Sequence, residues 1–241
     1  MKKVIAFITT IAVVLSLCIT VFAESLSYAG ECTMQYYDEI MNISVYTNNA
    51  YGIVVQKGID TKKQALTKEN IIAAMDELPQ KFTSNIGWII LTDKQSPQSK
   101  DIVASYYNKM IAFYDNEWLN DESMMIFGGN PFDFFIFTNN IQSTYKYILC
   151  HEIAHSIDTC SISEEWHTIV DESEKLYSSK VKGKIKYDEE FANTAALIIK
   201  DFEYVAKTTP NKYKYVAQIL NAHGFVFPLE QVNDNSPYTN K

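Results

Sequence analysis

The sequence predicts one α+β domain, with strands gathered toward the N-terminus beside a few helices and a mainly helical C-terminal half. Three observations lead there. Residues 24–58 are rich in β-branched and aromatic residues, and "ISVYT" and "YGIVVQKG" are parted by the turn-forming pair Asn48-Asn49. From about residue 143 onward, apolar residues recur at helical spacing. No internal repeat, Gly/Ser linker or low-complexity tract interrupts the chain.

The remaining elements follow in order. "TKENIIAAMDEL" reads as a helix capped by Thr67 and stopped by Pro79. "GWIILT" is a short apolar run that suits a buried strand. In "DIVASYYNKMIAFY" the residues Ile102, Val103, Tyr106, Met110, Phe113 and Tyr114 follow helical spacing, which predicts a helix there. "MMIF" and "DFFIFT" are strand-like runs on either side of the turn Gly128-Gly129-Asn130-Pro131. A helix from about Ser143 to Asp158 comes next, with Tyr145, Ile148, Leu149, Ile153 and Ile157 as its buried stripe. Ser161 and Glu164 form a capping-box pattern that opens another helix. A long helix from about Asp188 to Lys207 ends before Pro210, and "NKYKYVAQILNAHG" supplies a last one, closed by Gly224.

The first 23 residues stand apart. A short basic start, Met1-Lys2-Lys3, precedes an apolar run from Val4 to Val21, and Val21-Phe22-Ala23 offers compact residues for a cut before Glu24. This is the pattern of a secretory signal peptide, so the expected domain is residues 24–241 and the expected location extracellular. After cleavage no segment is apolar enough to stay in a membrane. The net charge of −8 argues against nucleic acid and anionic membrane surfaces as partners. Beyond the leader the chain keeps Cys32, Cys150 and Cys160, too few for a disulfide framework. One bridge, most naturally through Cys32, leaves one thiol over. Cys150 and Cys160 lie about 15 Å apart on an unbroken helix, too far to pair.

The chemistry gathers at "ILCHEIAHSID". The chain has only four histidines, and two of them, His151 and His155, are four residues apart. On a helix that spacing stacks both imidazoles on one face. With Glu152 beside them they form H-E-x-x-H, in which both histidines bind Zn²⁺ and the glutamate is a general base for peptide hydrolysis. A catalytic zinc site takes three protein ligands and keeps one position open. A third histidine at the longer H-E-x-x-H-x-x-G-x-x-H spacing is absent, since Asp158 and Ser161 stand at those places. His167 and His223 have no motif around them and read as surface or packing residues. A carboxylate on a later helix remains, and "YDEEFANTAALII" offers Glu189 and Glu190, both acceptable by spacing.

"HEIAHSID" followed by "EEFAN" resembles the zinc peptidases related to the catalytic domain of anthrax lethal factor, including the secreted Pro-Pro endopeptidases of clostridia. The resemblance covers residues 148 to 200 and is architectural before that, where "DFFIFT" takes the place of the strand that rims the cleft. It implies a zincin-like domain in which Zn²⁺ is held by His151, His155 and Glu189, with Glu190 as the alternative third ligand. Glu152 then serves as the base of an endopeptidase acting on extracellular protein or peptide. Two positions depart from the family pattern. Asn193 stands where the family has a second glutamate, and Lys182 where it has an oxyanion-binding tyrosine. Tyr177, Tyr187, Lys182 and Lys184 are the nearby substitutes for that tyrosine, and Asp158 is a further acceptor for an imidazole N–H. These departures leave a second expectation open, that of an inactive zinc-binding homologue serving as a binding or inhibitory module.

Overall fold

The computed structural model describes residues 26–36, 38–59, 67–98, 102–114, 141–157, 163–172 and 184–229. The leader, "MMIF", "DFFIFT", Asp158, Cys160, Tyr177 and Lys182 lie outside them. The strands are β1 (Ser27–Tyr36), β2 (Glu39–Thr47), β3 (Gly52–Gln56), β4 (Trp88–Leu91), β5 (Ala104–Tyr107) and β6 (Met110–Phe113). They form one mixed sheet in the order β1-β2-β3-β4-β6-β5, so β1 and β5 are its edges among the described residues. Strands β3, β4 and β6 run parallel, and the outer pairs are antiparallel. The α+β class and the β-rich start are as the sequence predicts.

Register explains the two faces. Ile53, Ile89, Ile111 and Tyr106 lie in one row across β3, β4, β6 and β5, and paired residues share a face. That face, with Leu91 and Phe113, joins the main core under the helices. The other face carries a smaller cluster of Met41, Ile43, Val54, Ile90, Ala112 and Tyr114.

One expected element is corrected. Residues 104–113 form a hairpin rather than a helix. Asn108 and Lys109 sit at φ 48° and 67° and make the two-residue turn that matches strand twist. Tyr106, Met110 and Phe113 do fall at helical spacing, but the same residues alternate correctly on two short strands. The edge of β4 then captures β6.

The helices are α1 (Lys68–Asp76), α2 (Gln80–Thr83), α3 (Ile141–His155), α4 (Glu164–Glu172), α5 (Lys184–Thr208) and α6 (Pro210–Ala222). Thr67 caps α1 by accepting the Asn70 N–H at 3.2 Å, as its sequence predicts. Next to α4, the Ser163 hydroxyl accepts the Trp166 N–H at 3.3 Å. Inside α5, Asp201 leaves helical geometry at φ −153° and its carboxylate accepts the Tyr204 N–H, capping the segment that follows. Gly224 ends α6 at φ +99°, where a Cβ would stand 2.9 Å from Pro79 Cβ. Among the described residues no helix is long and apolar enough to cross a membrane.

Helix α3 is the hub. It packs chiefly on α5 and also touches α1 and β5, while α5 is held on another side by α6. Lys146 of α3 pairs with Glu77 just after α1. Past the end of α3, Asn85 donates to the Ser156 carbonyl at 3.1 Å, beside His155. The cores of α3 and α5 therefore fix the site described next.

Candidate metal centre

Leu149, Cys150, Ile153 and Ala154 are fully buried, and they press α3 into the core along one stripe. This leaves His151 and His155, one turn apart, on the border facing α5. Their Nε2 atoms stand 3.1 Å from each other. Glu189 of α5 completes the group, with its carboxylate oxygens 3.5 Å from His151 Nε2 and 3.6 Å from His155 Nε2. Among the described residues these three form the one group of side chains placed to hold a metal ion.

The spacing can be tested against a coordination sphere. Donor atoms at about 2.0–2.1 Å from a tetrahedral ion lie about 3.3 Å apart. The observed 3.1, 3.5 and 3.6 Å bracket that value. Charge points the same way. Burial disfavours a charged His151, but the Glu189 carboxylate, with Glu152 and Asn193, outweighs it and raises the ring's pKa. Burial likewise works against an ionised Glu189, and the two histidines overcome it to hold the pKa down. The cluster favours positive charge at its centre. A donor set of two imidazoles and one carboxylate fits Zn²⁺ or a similar divalent ion.

Glu152 is almost fully buried behind this group. Burial pushes its pKa up to about 7; His151 opposes the rise, Glu189 adds to it, and the backbone N–H of Tyr106 on β5 opposes it. The glutamate thus sits between the ligand helix and the sheet edge, with an affinity for protons suited to exchange near neutral pH.

No protein-family model, curated protein or solved structure matches this chain. What the site can do follows from its own geometry.

That geometry separates the two candidate third ligands. Successive helical residues point about 100° apart. Glu189 faces the histidines, whereas Glu190 is buried on the α6 side with Lys212 Nζ at 3.4 Å. Asn193 lies one turn beyond Glu189, and its Oδ1 accepts the Tyr147 hydroxyl at 3.1 Å. Asn193 also favours the charged form of His151. Yet His151 Nδ1 is buried with no hydrogen bond of ordinary geometry among the described residues.

The other candidates sort plainly. Tyr187 stacks on His167 with ring centroids 3.8 Å apart and donates to Asp171 at 3.0 Å, two residues and about 200° round α5 from Glu189. His167 packs on Tyr187, within the surface or packing role the sequence predicts, and His223 goes beyond that role as the C-cap of α6, its Nδ1 2.9 Å from the Ile219 carbonyl. Cys150 is an inert core residue whose thiol burial pushes up to about 12, and Cys32 is exposed on β1; both are free thiols. A shallow groove beside Cys32, flanked by the Glu31–Lys57 and Glu39–Lys94 pairs, contains none of the site residues. Sequence reasoning missed Tyr147, Lys212 and the Tyr106 backbone. For Tyr147 a signal existed, since it lies one turn before His151.

Proposed function

We propose that this protein is a secreted zinc-dependent endopeptidase acting on extracellular protein or peptide. The observation that carries the reading is the convergence of His151, His155 and Glu189 at tetrahedral ligand spacing, with Glu152 buried next to them. Zn²⁺ bound there supplies Lewis acidity for a scissile carbonyl and for an attacking water. His151 and His155 offer Nε2 atoms fixed by α3, and Glu189 adds one carboxylate charge from α5. Glu152 takes the water's proton as the carbonyl carbon is attacked and passes it to the departing amine, so the peptide C–N bond breaks with protons balanced. The resemblance of "HEIAHSID" and "EEFAN" to the lethal factor-like zinc peptidases, and the signal-peptide pattern before Glu24, support the same reading.

One observation favours a second reading, a zinc-binding homologue without catalysis. Tyr187, one of the residues placed to replace the family's oxyanion-binding tyrosine, is engaged with Asp171 and His167. A single experiment tests both. The protein beginning at Glu24 is incubated with a broad peptide library, with and without chelator, beside Glu152→Gln. Chelator-sensitive cleavage, reduced at least about a hundredfold in the variant while zinc stays bound, is the expected result. Bound zinc with no cleavage of any peptide establishes the second reading, and absence of zinc uptake overturns both.

A further inference from the structure

Lys212 is wholly buried, and so is its partner Glu190, with Nζ and Oε2 3.4 Å apart. Such a pair is a poor source of stability, because two desolvated charges recover little more than apolar side chains of the same size. Its position adds to the cost. Lys212 lies in the first turn of α6, where the helix's own partial positive charge opposes a cation. What the pair supplies is direction.

The pair gives α5 direction toward α6, as the Tyr147–Asn193 hydrogen bond does toward α3 and the Trp166 Nε1 bond to the Tyr187 carbonyl at 2.9 Å does toward α4. The helix packs between α3 and α6, with Ala192, Ala195, Ala196 and Ile198 buried along it beside the larger Phe191 and Leu197. Apolar attraction is itself non-directional, so packing sets the azimuth through shape alone, and a polar pair adds a fixed direction to it. Rotating α5 by about 20° carries an atom about 5 Å from its axis through roughly 2 Å. That is a full zinc–oxygen bond length. Glu190 is the immediate neighbour of Glu189, so whatever fixes the azimuth of one fixes the other.

We propose that Lys212 is a positioning residue, and that its pairing with Glu190 sets the rotation of α5 and so aims Glu189 at His151 and His155. The proposal rests on the zinc reading of the site. It explains why the sequence places two consecutive glutamates here: one faces the metal position, and the other anchors the helix to α6.

The test replaces the pair with apolar side chains, Lys212→Met together with Glu190→Leu, in the full mature chain. Melting of the metal-free protein and zinc affinity by competition with a chromophoric chelator are both measured, and Co²⁺ absorption reports the ligand geometry. The expected variant melts at or above the wild-type temperature, yet binds zinc at least about tenfold more weakly, with an altered Co²⁺ spectrum. A purely structural pair predicts recovered stability with wild-type affinity, and that result overturns the proposal while leaving the zinc reading intact. Glu190→Asp provides an independent check, since it keeps the charge and shortens the reach by one methylene. It should weaken zinc about threefold or more, and unchanged affinity there also overturns the proposal. A wild-type protein that takes up no zinc overturns both the site reading and this one.

Discussion

Tyr147 and Asn193 are tied across the interface of α3 and α5, the phenol donating to the amide oxygen at 3.1 Å. Tyr147 lies one turn before His151, and Asn193 one turn beyond Glu189. The two helices run antiparallel there, and the hydrogen bond continues the line of the three candidate ligands by one more rung. It also gives Asn193 a partner suited to a neutral amide, where a carboxylate would have faced the imidazole directly.

Removing that rung should loosen the metal more than the fold. Tyr147→Phe keeps the ring in the core and deletes one donor, so the stability change should be about 1 kcal/mol. Zinc affinity should fall about tenfold, as for other partners behind a ligating histidine. Paired denaturation and chelator-competition curves give both numbers. A large loss of stability with normal affinity contradicts this assignment.

Glu189 and Glu190 should fail differently. Glu189→Ala removes the proposed third ligand and should abolish stoichiometric zinc binding while costing little stability. Glu190→Ala strips the carboxylate from buried Lys212 and should destabilise the fold by about 3 kcal/mol, with a smaller loss of affinity. Metal analysis and melting of the two purified variants distinguish them. A stable Glu190→Ala protein devoid of zinc would exchange the two roles.

The buried Glu152 predicts a pH signature in metal-free protein. Its folded pKa, about 7, exceeds the ordinary 4.5, so the folded state holds the proton more tightly between those values. Stability from this group is complete below pH 4.5 and is lost as the pH rises through 7. Glu152→Gln lacks the effect. Relative to wild type, the variant should gain about 1–3 kcal/mol between pH 4 and pH 8. Urea unfolding at the two pH values, with chelator present, measures the difference, and a pH-independent gap refutes it.

Thiol labelling gives a quick check of the fold. Cys32 is exposed on the edge strand and should react in native protein within minutes, whereas Cys150, buried and with its pKa pushed up to about 12, should react only on unfolding. Peptide mapping after timed alkylation reads each site. Rapid native labelling of Cys150 is incompatible with the packing of α3.

The sequence carried the helical half of the site well, because a helix converts a four-residue spacing directly into a shared face. His151, Glu152 and His155 were legible on that ground alone. The candidate third ligand is narrowed to Glu189 and Glu190, and sequence spacing goes no further. The discriminating fact is the position of Lys212, a residue on another helix. Tyr147 was hidden for a similar reason, as its partner lies in a distant segment. The hairpin at 104–113 was misread because four-residue apolar spacing satisfies two geometries at once. The positive φ at Asn108 and Lys109, which decides between them, leaves only a lone asparagine as its trace.

The donor that the Tyr106 main chain offers to Glu152 has a consequence for how this site can vary. A contact made by a peptide N–H needs no particular side chain at position 106 so long as the hairpin keeps its path, to which Tyr106 contributes by packing on the main core and accepting the Lys109 N–H at 3.3 Å. Proline is the exception, since it has no N–H to give. The proton affinity of Glu152 is set first by burial and then by His151 and Glu189. The smaller lowering by Tyr106 is in this way a property of the hairpin's backbone path. It is inherited by any sequence that still makes the turn at Asn108 and Lys109.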